Sequence, residues 1–168
     1  MIHICKANSN HVEGIAKVCA EGYWATYSDL YSKKYIKTVI KDFYNDERIV
    51  KEITHSSKEW QGYVVALEDD EVIGAGGGGM ITDTSGEVFV LYLNPNRRNE
   101  GIGTLLLDAI TKQQKDLKAT EQWVSIQKDN QKGIPFYEAR GFQFQYEQKG
   151  YGKEDEEGYI SLRYKRKI

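Results

Sequence analysis

Only two cysteines, Cys5 and Cys19, occur in the 168 residues, too few and too oddly spaced for a disulfide framework or a zinc site. Both sit among apolar neighbours and read as buried, reduced thiols. An excess of one charge is also missing. The formal net charge of -2 excludes the non-specific nucleic-acid binding that depends on a clustered cationic surface, so any anionic ligand has to be held locally. No stretch approaches the ~18 apolar residues of a membrane span, and the N-terminus has no cationic start leading into an apolar run and a cleavage site. The expectation is a cytoplasmic protein with no membrane contact. There is no internal repeat or low-complexity tract, and His3, His11 and His55 stand in no motif and read as structural or exposed.

What is present points to one domain spanning residues 1–168, with 40% hydrophobic residues to form its core. Twelve tyrosines and three tryptophans provide side chains that cover a core and still offer a polar handle or a cation-attracting face. Ile2 and Ile4 alternate as a short strand, and Asn8 or Ser9 caps a helix carrying Val12, Ile15, Val18 and Cys19. Gly22 and an aromatic run then interrupt the periodicity, so a mobile linker is expected before a second helix through Tyr35, Ile36, Val39, Ile40 and Phe43. Strands over 62–67 and 71–81 join through the charged turn "EDDE", and a third covers 87–93. Gly76 to Gly79 inside the second of these mark a close approach of other atoms, a bulge or ligand access. A helix to about 118, a strand over 123–127, a helix over 131–140 and two final strands complete the chain, with "GKEDEEG" as a solvated hairpin turn. The order β, α, α, β, β, β, α, β, α, β, β implies a mixed, mostly antiparallel α/β sheet with helices on both faces, whose one parallel pair flanks the helix within residues 101–118.

The stretch "VLYLNPNRRNEGIGTLLLDAI" carries the chemistry. A helix N-terminus offers unpaired N–H groups and partial positive charge, so it stabilises an anion without a basic surface. Gly101 and Gly103 clear side chains from those N–H groups, and Arg97 and Arg98 add guanidinium donors. On spacing alone these glycines serve equally for a tight turn or close helix packing. A P-loop is excluded because no Gly-Lys-Ser/Thr follows. The dinucleotide fingerprint fails because its third glycine position holds Leu106, and because the loop follows three antiparallel strands.

"LYLNPNRRNEGIGTLLL" closely resembles the acyl-coenzyme A site of the GNAT superfamily of N-acetyltransferases, with Arg98-Asn99-Glu100-Gly101-Ile102-Gly103 in place of its Arg/Gln-x-x-Gly-x-Gly/Ala signature. "NQKGIPFYEARGF", from Asn130 to Phe142, is similar to a second family segment, with Gly133 where alanine is usual. The resemblance extends over nearly the whole chain in strand order.

The resemblance implies acetyl-CoA as co-substrate, no metal, and transfer to a primary amine by direct attack in a ternary complex. The acceptor would be a polyamine-like small molecule or a peptide N-terminus or lysine. The backbone of Leu91, Tyr92 and Leu93 would bind the pantetheine arm, and Arg98, Asn99, Glu100, Gly101, Ile102, Gly103 and Thr104 would bind the pyrophosphate. Asn130 would be a further coenzyme contact, against a reading as a helix cap. Tyr137 would lie by the coenzyme sulfur as general acid. An amine of pKa roughly 10.4 is protonated at neutral pH whereas a thiol of roughly 8.5 leaves fairly well, so a base matters more than an acid. Some relatives carry a glutamate where this chain has Ser125, so Glu87, acting through a water, stands as the expected base. Tyr23, Trp24, Tyr27 and Tyr31 would face the acceptor, with Asp155, Glu156 and Glu157 on a nearby hairpin. Two other classes stay open: a non-catalytic acyl-CoA binder, which would bind but not turn over, and a nucleotide-binding module, which would respond to ATP or NAD. A two-fold dimer is the first expectation for a homo-oligomer.

Overall fold

Strand β1 (His3–Lys6) leads through a 3-10 turn into helices α1 (Val12–Tyr27), α2 (Lys33–Phe43) and α3 (Asp46–Thr54). Strands β2 (Tyr63–Glu68), β3 (Glu71–Met80) and β4 (Ser85–Leu93) follow, then α4 (Ile102–Asp116), β5 (Glu121–Gln127), α5 (Gly133–Ala139), β6 (Gln143–Lys149) and β7 (Ile160–Lys167). This computed structural model describes residues 1–149 and 158–168; Asp155, Glu156 and Glu157 lie outside them. Among the described residues no helix is long and apolar enough to cross a membrane.

The alternation expected of a sheet covered on both faces is seen in β2. Tyr63 and Val65 pack on Ile15, Val18 and Ile49 of α1 and α3, while Val64 and Ala66 join Leu106 and Ile110 of α4. Seven strands lie in the order β1-β2-β3-β4-β5-β7-β6. All pairings are antiparallel except β4 with β5, whose connection runs through α4, as a parallel neighbour requires. The "EDDE" turn is a two-residue hairpin in which Asp69 and Asp70 take φ of 51° and 64°, the left-handed pair that matches strand twist.

The glycines of β3 serve close packing. A Cβ on Gly74 would lie 3.1 Å from Ile102 and 3.0 Å from Leu106, one on Gly76 3.1 Å from Ile110, and one on Gly78 2.8 Å from Gln114. Those α4 residues recur every fourth position, so one helical row settles on one face of the strand. On the other face a Cβ at Gly77 would meet the Trp60 ring at 2.4 Å, and one at Gly79 the Glu59 carbonyl oxygen at 2.0 Å. Packing accounts for the run.

Two expectations about the helices are corrected. α1 does not break at Gly22 but continues to Tyr27, because Gly22 sits against Tyr92, which an added Cβ would approach at 2.9 Å. The linker therefore shrinks to residues 28–32. Helix α3 was not anticipated, although Asn45 caps it by accepting from Arg48 N–H at 2.8 Å, and Asp46 and Glu47 begin its first turn.

Candidate active site

The site begins where β4 leaves β5. Their parallel pairing covers only Ser85–Val88 against Glu121–Val124. On the opposite edge, Gly78 pairs with Val88 and Gly77 with Val90, so Phe89 is the extra residue of a β-bulge, which bends the strand. The parting strands, the first turn of α4, α5 and the end of α1 enclose a cleft of about 960 Å³. Asn94 N–H donates to the Ile73 carbonyl on β3 at 2.8 Å. Because peptide groups alternate along a strand, Tyr92 also turns its own toward β3, whereas Leu91 and Leu93 turn theirs to the open edge. Of the three residues whose backbone was expected to meet the coenzyme arm, only Leu91 and Leu93 turn their peptide groups to the open edge. The Tyr92 ring packs on α1 instead, 5.9 Å from the Tyr23 ring.

At one end of the cleft stands the N-terminus of α4. Gly101 adopts φ of 80°, and among the described residues no side chain caps the helix; a Cβ on Gly101 would meet nothing within 4 Å. The glycine is required by backbone conformation. Gly103 differs, since a Cβ there would lie 3.0 Å from the Phe136 ring of α5. The two arginines also divide their roles. Arg97 donates to both oxygens of Glu68 at 2.9 and 3.1 Å and to both of Glu100 at 2.7 and 2.9 Å, tying the loop to the β2 hairpin end. It holds both carboxyls below the ordinary carboxylate range, so the Glu100 side chain belongs to the loop's frame. Arg98 and Asn99 are exposed at the cleft, and among the described residues Arg98 forms no ion pair. The Thr104 hydroxyl accepts from Arg140 Nε at 3.0 Å and also from Nη2.

Asn130 lines the cleft and accepts from Gly133 N–H at 2.8 Å through Oδ1, capping the turn into α5. A Cβ on Gly133 would lie 2.4 Å from the Asn130 amide nitrogen, so the alanine usual in the second motif would require that side chain to shift. Tyr137 also lines the cleft, half-buried between Phe136 and Phe142 at ring separations of 5.0 and 5.2 Å. Burial first, then the neighbouring Tyr27, push its phenol upward, so the hydroxyl stays protonated and able to donate.

The aromatic expectation needs correction. Of Tyr23, Trp24, Tyr27 and Tyr31, only Tyr27 reaches the cleft. Tyr23 and Tyr31 are buried in a cluster with Tyr35 and Ile36, against which Trp24 packs, and the Tyr31 hydroxyl donates to Gln127 Oε1 at 2.8 Å. The sequence reading missed Thr26, Asp29 and Leu30, which reach the cleft wall because α1 runs on past Gly22. It also passed over Arg140, inside a quoted motif, whose guanidinium lies 3.8 Å over the Phe136 ring.

Glu87 is corrected too. It does not line the cleft; it points away from α4, and both its oxygens accept from Arg163 at 2.8 and 2.9 Å. A carboxylate held in this way is not available as a base. Cys19 is fully buried with its thiol pushed well up by burial, and neither cysteine faces the cleft. The three histidines lie elsewhere, His11 accepting the Asn8 N–H at 3.0 Å.

The parallel pair of a mixed sheet thus splays open beside an uncapped, glycine-initiated helix. The model of the Acetyltransferase (GNAT) family matches residues 20–142, and the chain belongs to that family; it is an acetyltransferase. Over 142 residues it is 29% identical to the spermidine N(1)-acetyltransferase of Thermoplasma acidophilum, covering 84% of this chain and 88% of that protein. It is similar over its full length to the crystal structure of the PaiA N-acetyltransferase of Thermoplasma acidophilum in complex with coenzyme A, with a TM-score of 0.84, 25% identity and 99% of that chain covered. The ribosomal-protein-alanine N-acetyltransferase of Brucella melitensis shares the fold at a TM-score of 0.67 and 16% identity, over 99% of both chains.

Proposed function

We propose that this acetyltransferase moves an acetyl group from acetyl-CoA to a primary amine of a polyamine-like small molecule, by direct attack with both substrates bound. The observation that carries the reading is the open edge of β4. Leu91 and Leu93 offer peptide groups there that have no backbone partner among the described residues, between an uncapped helix N-terminus and the half-buried Tyr137. The coenzyme, when bound, supplies an activated acyl thioester. The N–H groups opening α4 and Arg98 hold its pyrophosphate. A donor N–H on the open edge faces the oxygen on which negative charge develops. As the amine nitrogen bonds to the acyl carbon and the C–S bond breaks, Tyr137, kept neutral by burial, gives its proton to the departing sulfur, and the proton shed by the nitrogen passes to solvent in the open cleft. Alignment of the two reactants is the largest contribution, worth roughly 7–11 kcal/mol.

For the acceptor, Asp29 and Asp129 are, among the described residues, the carboxylates on the cleft wall, and Tyr27 lines it as well, with its ring stacked on Tyr31 at 4.6 Å. The two carboxylates attract a cationic amine. The polyamine substrate in the name of the Thermoplasma relative supports this choice.

The test is in two stages. The melting temperature is measured with acetyl-CoA, CoA, ATP and NAD supplied separately at equal concentration, since a ligand at 100 times its dissociation constant stabilises by about 2.7 kcal/mol. A shift with the two coenzymes alone is expected; a larger shift with ATP or NAD overturns the coenzyme assignment. Release of CoA thiol is then followed with spermidine and with a peptide carrying a free N-terminus. Faster release with the peptide overturns the polyamine acceptor and leaves the transferase standing.

A further inference from the structure

The ion pair between Glu87 and Arg163 is the most enclosed in the chain's described residues, with side chains 12% and 11% exposed, and it takes no part in the chemistry above. Enclosing two charges costs desolvation that their attraction does not reliably recover, so its value has to be sought in what it positions. Arg163 lies on β7, opposite Ser125 of β5. Its Nη1 reaches both Glu87 Oε2 at 2.8 Å and Ser125 Oγ at 2.7 Å, and Nη2 reaches Glu87 Oε1 at 2.9 Å. One guanidinium thus joins β4 to β5 at the last place where they touch, since Val88 with Val124 is their final pair.

The other face of the sheet repeats the connection. Gln114 of α4 donates from Nε2 to the Glu87 carbonyl oxygen at 2.9 Å, and its Oε1 accepts from Gln122 Nε2 of β5 at 3.0 Å. Both glutamines are fully buried. A Cβ on Gly86 would lie 2.2 Å from Gln114 Oε1, so only glycine leaves room for this link. Glu87 is therefore pinned to β5 by its side chain on one face and its carbonyl on the other, two residues before the bulged Phe89.

We infer that Glu87, Arg163, Gln114 and Gln122 form a two-faced clamp that fixes the apex of the splay, and with it the position of the Leu91 and Leu93 peptide groups along the open edge. They are positioning residues: none lines the cleft. The inference rests on the reading that this edge binds the pantetheine arm and thioester. The glycine loop lies at the far end of β4 and is tied separately through Arg97 to Glu68, so the clamp acts on the arm and leaves the nucleotide end alone.

That division supplies the test. Calorimetric affinities for acetyl-CoA and for 3′-phospho-ADP, the nucleotide half of the coenzyme, are measured for the wild type, Glu87→Gln and Arg163→Lys, with amide hydrogen exchange over residues 89–93 and 98–104. Glu87→Gln is expected to weaken acetyl-CoA about tenfold, to leave the nucleotide within twofold, and to lose coenzyme-induced protection over 89–93 only; Arg163→Lys recovers part of the loss. A general base would leave coenzyme affinity untouched, so equal affinities overturn the clamp. Equal weakening of both ligands also overturns it, as general destabilisation. Should Glu87→Gln fail to fold, Arg163→Lys, at a position that does not line the cleft, must show the same split at smaller size, or the inference falls. A wild-type chain that binds the nucleotide but gains nothing from the arm removes the underlying reading as well.

Discussion

Tyr137 concentrates the chemistry assigned to a single side chain. Its ring is wedged between Phe136 and Phe142, and burial keeps its hydroxyl protonated. Tyr137→Phe keeps the ring and removes only the proton donor, so the fold should survive and kcat at saturating substrates should fall about tenfold to a hundredfold. That lies at the low end of general acid catalysis because a thiolate is a fair leaving group. An unchanged kcat would mean that the hydroxyl is structural. That Tyr137 and Gly101 share one cleft was legible in the sequence because each sits in a motif whose spacing survives folding. Glu87 was misread for the opposite reason: a strand carboxylate looks like a base until its partner, Arg163, arrives from 76 residues away.

At the scale of elements, the glycine loop is held by Arg97 between Glu68 and Glu100. Both carboxyls are depressed, first by hydrogen bonding to Arg97. A depressed folded value means that the stabilisation is complete above the unfolded value, near 4.5, and is lost as pH falls through the lowered folded values. The melting temperatures of wild type and Arg97→Met should therefore differ at pH 7 and converge on acidification below about 4.5; a constant difference would show that Arg97 acts by packing alone. Apart from α3, whose N-cap at Asn45 went unread, the strand–helix order was legible from periodicity. The course of α1 through Gly22 was not. A glycine within a helical stretch reads locally as a break, whereas here it answers to Tyr92 on another element.

Across the whole molecule, buried phenols form an alkaline liability. Tyr23, Tyr44, Tyr92 and Tyr137 are all raised, with burial the first cause in each. Raised folded values contribute stability that is fully present below the unfolded value, near 10.0, and is lost as pH climbs toward the folded ones. The protein should unfold cooperatively in strong alkali, with tyrosinate absorbance of these groups appearing together with loss of structure; titration while the fold stays intact would contradict their burial. Composition, period and motif spacing determined the layer order, the single parallel pair and the glycine loop that opens a helix, because those follow from local backbone preference and from which faces must be buried. The tertiary structure alone decided which tyrosine faces the cleft, which arginine of the loop is paired and which left exposed, and what Glu87 holds. Each of these depends on a partner distant in sequence, and pairing of charges or close contact of rings is settled only when the chain brings the two together.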